Sequence, residues 1–201
     1  MKFSFSTLAC PDYTWADIYS MAKDLGFDGI EVRGLGNDIF DASKNMPFSP
    51  RLLPATKQKL RALRLTIPCL SSGCCLRDGA TVETVAEVRA YIEAAESIGT
   101  PYVRVLGDLN PAPDGDVDDE AVLAALRALL PYAEEKGVTL LIETNGVYSD
   151  TARLRALLDR APSDNVGALW DVHHPYRFAG ESPEKTVQNL GRYIKHVHIK
   201  D

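Results

Sequence analysis

The amino-acid sequence predicts an α/β fold, a (β/α)8 barrel of the TIM type, with about seven β/α units present in the chain. Three observations predict it. Short β-rich runs start at residues 2, 29, 66, 102, 139, 166 and 196, a spacing of roughly 27 to 37 residues, and each gap holds a helix-like segment. The same order, apolar helix face, then Gly, then buried strand, recurs in "MAKDLGFDGIEV", "AAESIGTPYVRV" and "YAEEKGVTLLIE". Finally, the first β-to-α turn, "TLACPDYTW", contains neither GxGxxG nor GxxxxGK[ST], which an open doubly wound sheet usually advertises.

The elements follow in order. "KFSFST" (2–7) is the first strand, and Thr14 with Asp17 can form a capping box at the start of the first helix, which Gly26 ends. "GIEVR" (29–33) and "TIPCLSS" (66–72) are the second and third strands, and Gly99 closes the helix before "YVRVLG" (102–107). The loop "DLNPAPDGDVDDE" (108–120) lacks the Gly and Glu that a calcium loop requires, so it is read as an acidic approach to a helix N-terminus. Pro131 lies inside the next helix and should kink it, at about 3 kcal/mol unless the helix bends there as it curves round a barrel. Gly137 ends that helix before "TLLIET" (139–144), which "VGALWD" (166–171) follows. Ser182 before Pro183 is a further helix start, leading to "HVHIK" (196–200).

Residues 1–201 are thus expected to form one barrel domain that stops before an eighth strand. The first and seventh strands would keep open edges. The chain then reads as a fragment of a longer protein, as a binding remnant, or as a subunit whose site a second copy completes.

Composition excludes several function classes. There are 22 basic and 28 acidic residues, a net 22 − 28 = −6, and the basic ones are dispersed, so no nucleic-acid partner is expected. Cys10, Cys69, Cys74 and Cys75 form no CxxC pair and no zinc spacing, which suits reduced thiols. The start is too broken for a signal peptide, and no run of about 18 apolar residues exists, so a cytoplasmic protein without a membrane span is expected.

In a barrel, reactive residues come from the C-terminal ends of the strands. The first four ends offer Ser6 and Thr7, Arg33, Ser71 and Ser72, then Arg104 and Gly107. The next three offer Glu143, Asp171 and His198. Taken singly, a strand-end carboxylate usually caps a helix and a strand His is usually a core residue. Equivalent positions on three successive strands, about 4.8 Å apart, instead let all three converge on one cation. His174, three residues after Asp171, can return over the mouth. A mixed carboxylate and imidazole set suits a divalent metal such as Mn²⁺, Mg²⁺, Co²⁺ or Zn²⁺.

The segments "GFDGIEVR", "LIETN", "WDVHH" and "HVHIKD", in this order, resemble the xylose isomerase-like TIM-barrel superfamily, the sugar phosphate isomerase/epimerase group. The resemblance implies that Glu143, Asp171 and His198 bind the metal, that Glu143 is also a catalytic base, and that His174 contacts substrate. It also implies a fourth ligand, a Glu on an eighth strand, which the sequence does not contain. The implied chemistry is enediolate formation on an α-hydroxy carbonyl sugar or sugar phosphate by an isomerase or epimerase. An inosose dehydratase-type lyase is the alternative, and an endonuclease IV-like activity a remote one, since residues 1–170 contain no His. Arg104, Arg177 and Lys200 are candidate substrate contacts, Arg177 for a phosphate or carboxylate. Arg33 and Arg104 read equally well as ion-pairing residues at the rim, and His173 and His196 as packing neighbours.

Overall fold

The computed structural model describes residues 1–36, 38–41, 46–161 and 163–200, and Asp201 of "HVHIKD" lies outside them. The chain forms two compact units, residues 1–72 with 93–103, and residues 73–92 with 104–201.

In the first unit, β1 (Ser4–Ser6) pairs in parallel with β2 (Gly29–Glu31), Ser4 against Gly29 and Ser6 against Glu31, across α1 (Trp15–Asp24). The capping box forms as expected: Asp17 N donates to Thr14 Oγ1 at 3.3 Å and Thr14 N donates to Asp17 Oδ2 at 3.0 Å. Gly26, Gly99 and Gly137 all have positive φ, 76°, 87° and 64°, where a helix stops and the chain turns toward a strand. β2 ends earlier than predicted because Thr7 Oγ1 accepts from the amides of Arg33 (3.1 Å) and Gly34 (3.3 Å), drawing the chain off the ladder. A small antiparallel pair, β3 (Gly34–Leu35) and β4 (Asp38–Ile39), follows, and α2 (Leu53–Leu63) leads toward β5 (Cys69–Cys75).

The third strand was expected over residues 66–72 and instead starts at Cys69. Thr66 makes only an isolated bridge to Gly29, and Pro68 has no N–H to continue the ladder. Ser71 and Ser72 are therefore strand-interior and buried, rather than strand-terminal.

α3 (Val82–Ile98) and β6 (Tyr102–Leu106) lead to the elements that position the site. α4 (Asp119–Glu135), β7 (Thr139–Glu143), α5 (Thr151–Asp159), β8 (Val166–Asp171), α6 (His173–Ala179), α7 (Pro183–Leu190) and β9 (Ile194–His198) follow in the second unit. The larger sheet runs β5, β6, β7, β8, β9, so neighbours in the chain are neighbours in the sheet, the advance of a β/α barrel.

The acidic loop does what its charge implies: Asp118 caps α4, its carboxylate accepting from Glu120 N at 2.9 Å. α4 buries Val122, Leu123, Leu126, Leu129, Leu130 and Ala133, a stripe at helical spacing. It continues through Pro131, which is exposed together with Arg127, whose carbonyl would have taken the missing N–H. Both residues lie on the exposed face of α4, where a helix bends most readily, so the proline costs less here than in a buried helix face. β7 is buried on both faces at Leu140, Leu141 and Ile142, as a parallel strand covered by helices should be. Each such side chain contributes about 1.5–3 kcal/mol of burial.

The last strand was expected over residues 196–200 and lies at Ile194–His198. Its pairing with β8 begins at Ala168 against Ile194, and Ile199, which the alternation placed inside the strand, is exposed beyond its end. Among the described residues no helix is long and apolar enough to cross a membrane.

Candidate metal centre

Glu143 is the last residue of β7, Asp171 of β8 and His198 of β9. Asp171 and His198 are register partners, so they stand side by side as expected. Glu143 pairs instead with Leu169, two residues below Asp171, about 6.6 Å along a strand. The longer Glu side chain makes up part of that stagger. The ligand atoms of the three residues lie within 4.8 Å of one another, with both carboxylates buried and His198 half-buried.

Each ligand candidate is held by named partners. Glu143 Oε1 lies 3.6 Å from His198 Nδ1, and Glu143 Oε2 accepts from Arg104 at 2.5 Å. Burial alone would raise the Glu143 carboxyl, but hydrogen bonding to His198 and then the Arg104 charge outweigh it and hold the group at about 2. It is ionised at neutral pH, the state a metal ligand needs.

Asp171 Oδ1 accepts from the amides of His173 at 3.0 Å and His174 at 3.2 Å, so the carboxylate serves the first turn of α6. His174 thus sits in the first turn of α6 (His173–Ala179), directly after β8, and Pro175 falls in the same turn, where its missing N–H costs nothing. Asp171 Oδ2 meets Lys200 Nζ at 2.7 Å and His174 Nε2 at 3.8 Å. His174 Nδ1 lies 2.9 Å from Thr144 O, which can only accept, so Nδ1 carries the proton and Nε2 accepts from Lys200 Nζ at 2.7 Å. Burial pushes the His174 imidazole below its ordinary value more than Asp171 raises it, consistent with that neutral tautomer.

The residues singled out in the sequence are thus distributed unevenly. Glu143, Asp171, His198, His174, Arg104 and Lys200 gather in one cluster. Arg104 is buried and pairs with Glu143. Arg177 is exposed in the last turn of α6, and Arg33 is exposed as well. His173 and His196 are half-buried, the His196 ring 5.5 Å from that of His198.

Sequence reasoning missed three organising residues. Thr144 Oγ1 accepts from Asp171 N at 2.9 Å and donates to Asp171 O at 3.2 Å. Asn145 donates to the carbonyls of Asp108 and Asn110 at 2.8 and 2.9 Å. Asp108, fully buried, accepts from Val147 N at 2.9 Å and packs against Gly146, where a Cβ would fall 2.1 Å from Oδ2. Together they staple the loop after β6 to the loop after β7. The dipeptide "TN" following "LIE" was the available signal, since a polar pair directly after a buried strand must find partners.

The donor set fits a divalent cation: two buried carboxylates and one imidazole, close enough to share an ion and without thiolates. The arrangement can also place a neutral His and an ammonium beside whatever that ion holds.

The sequence model described as "Xylose isomerase-like TIM barrel" matches residues 20–201. No curated protein matches the chain significantly. Among solved structures, the probable 3-DHS dehydratase AsbF from Bacillus anthracis superposes with a TM-score of 0.81 at 20% identity, over 100% of this chain and 73% of that one. The IOLI protein with a binding zinc atom gives 0.74 at 16% identity over 100% and 73%. D-psicose 3-epimerase in the presence of D-fructose gives 0.75 at 16% identity over 98% and 72%. These likenesses concern the fold, whereas the match over residues 20–201 covers most of the sequence itself. The chain therefore belongs to the xylose isomerase-like TIM barrel family.

Proposed function

We propose that the chain carries the divalent-metal site of an enzyme that isomerises or epimerises a sugar or sugar phosphate through an enediolate. One observation carries this reading: Glu143, Asp171 and His198 end three successive strands with ligand atoms within 4.8 Å of one another. The fold neighbours support it, since one is described with a zinc atom and another, an epimerase, with D-fructose.

Glu143, Asp171 and His198 would hold the ion, which when bound polarises a substrate carbonyl and stabilises the negative charge that enolisation creates. The remaining steps belong to the protein. Glu143 is the proposed base, but a carboxylate at about 2 is a weak one against an optimum near the working pH. Its base role therefore requires Oε2 to exchange Arg104 for substrate, which removes one of the contacts that depress its basicity. Arg104 would then face the substrate oxygens with its guanidinium. His174, neutral with the proton on Nδ1, offers Nε2 to a substrate hydroxyl once Lys200 moves. Arg177, one helical turn beyond His174, is the proposed contact for a phosphate.

A dehydratase is the second reading, favoured by the likeness to AsbF, and it shares the enolisation step. Solvent-deuterium incorporation at the carbon beside the carbonyl, measured over a panel of ketoses and inososes with added Mn²⁺, tests the shared step. Exchange without loss of water supports the isomerase or epimerase, exchange with loss of water the lyase. No metal binding at all would remove the site assignment.

A further inference from the structure

Lys200 lies two residues beyond β9, yet its ammonium sits inside the cluster, 2.7 Å from Asp171 Oδ2 and 2.7 Å from His174 Nε2. Asp171 Oδ1 is already engaged by two backbone amides of α6. Oδ2 is thus the oxygen that Asp171 offers to other side chains, and Lys200 holds it. Lys200 is the ammonium that pairs with Asp171, while Glu143 pairs with Arg104 among its contacts. A divalent ion taking Asp171 Oδ2 would share that oxygen with an ammonium 2.7 Å away, a repulsive arrangement unless the ammonium departs. Arg104 is buried with a side chain 6% exposed, whereas the Lys200 side chain is 45% exposed and can swing its ammonium into water.

On the metal-centre reading above, we propose that Lys200 is an internal cation that competes with the divalent ion for Asp171 Oδ2. Metal binding expels the Lys200 ammonium, and the same movement releases the lone pair of His174 Nε2. Loading the ion and freeing the His174 imidazole are therefore one event. The lysine lowers metal affinity and, once displaced, lies at the mouth of the site.

The test is calorimetric titration with Mn²⁺ of the wild-type chain, Lys200→Met, Lys200→Gln and Lys195→Met, the last removing an exposed charge from β9 without touching Asp171. Loss of one charge-assisted contact to a buried carboxylate should tighten Mn²⁺ binding about tenfold in both Lys200 variants. Lys195→Met should stay within about twofold of wild type, as expected for a screened surface charge. A second readout is acylation of Lys200 by an amine-reactive ester, followed by peptide mass spectrometry, which should speed up several-fold in saturating Mn²⁺ while that of Lys195 does not change. Equal or weaker binding by the Lys200 variants, or unchanged Lys200 reactivity, overturns the competition and leaves the metal centre standing. Absence of Mn²⁺ binding in wild type and variants alike overturns the metal centre, and the competition with it.

Discussion

Thr144 and Asp171 exchange two hydrogen bonds through a single hydroxyl: Asp171 N donates to Thr144 Oγ1 at 2.9 Å, and Thr144 Oγ1 donates to Asp171 O at 3.2 Å. The end of β7 thereby fixes the end of β8, and Thr144 O fixes the His174 ring in the same place. One residue that touches no ligand atom sets the position of two that matter.

Thr144→Val keeps the shape and removes the hydroxyl, leaving the buried Asp171 N–H without its acceptor. A cost of about 1–3 kcal/mol is expected in urea denaturation. Mn²⁺ affinity should fall about 10- to 100-fold, as for other residues that orient metal ligands from behind. Thr144→Ser should restore most of both, which separates the hydrogen bond from simple loss of packing.

Gly167 lies where the ladder between β8 and β9 shifts register, at Ala168 and Leu169. A Cβ there would meet Tyr193 O at 2.8 Å, and that carbonyl accepts from Ala168 N at 2.8 Å. Gly167→Ala should therefore push β9 away from β8 and cost about 1–3 kcal/mol, the usual range for overpacking. Because His198 rides on β9, weaker Mn²⁺ binding should accompany the lower urea midpoint, whereas an alanine at the exposed Gly73, where a Cβ would meet nothing within 4 Å, should change neither.

These two residues show where the sequence is informative and where it stops. Glu143, Asp171 and His198 were legible as neighbours because each ends a strand of a repeating unit, buried in β7 and β8 and half-buried in β9, and strand ends meet in a barrel whatever the loops do. The partnership of Thr144 with Asp171 was not, because it depends on a two-residue stagger between β7 and β8 that no periodicity encodes. Lys200 was read as a candidate substrate contact within the last strand, but it lies past the strand, where its ammonium meets Asp171. The late start of β5 was in principle legible, since Pro68 announces a gap in the ladder.

Asp159 anchors the chain just before β9. Its carboxylate accepts from Tyr193 Oη at 2.6 Å and Arg155 Nε at 2.7 Å, with Arg192 2.5 Å away. The hydrogen bond from Tyr193, followed by that from Arg155, lowers the group from 3.8 to about 2. With the folded value below the unfolded one, the unfolded chain binds more protons in this window. The stabilisation is therefore complete above about pH 4 and lost as pH falls through about 2. Asp159→Asn should flatten the dependence of the urea midpoint on pH between these limits. Since the group is exposed, the wild-type slope should shrink in high salt.

Metal removal and addition offer the most direct check on the site as a whole. A ligand that binds only the folded chain stabilises it by RT ln(1 + [L]/Kd), about 2.7 kcal/mol at a hundredfold excess over Kd. Mn²⁺ should therefore raise the melting temperature of the wild-type chain, and a chelator should reverse the rise. Asp171→Asn keeps an oxygen that can accept from the α6 amides, so the fold should persist while the ligand charge is lost. The variant should melt cooperatively without any Mn²⁺-dependent shift. A shift as large as wild type would show that the ion binds elsewhere, because Asp171 meets His174 and Lys200 and belongs to the ligand group.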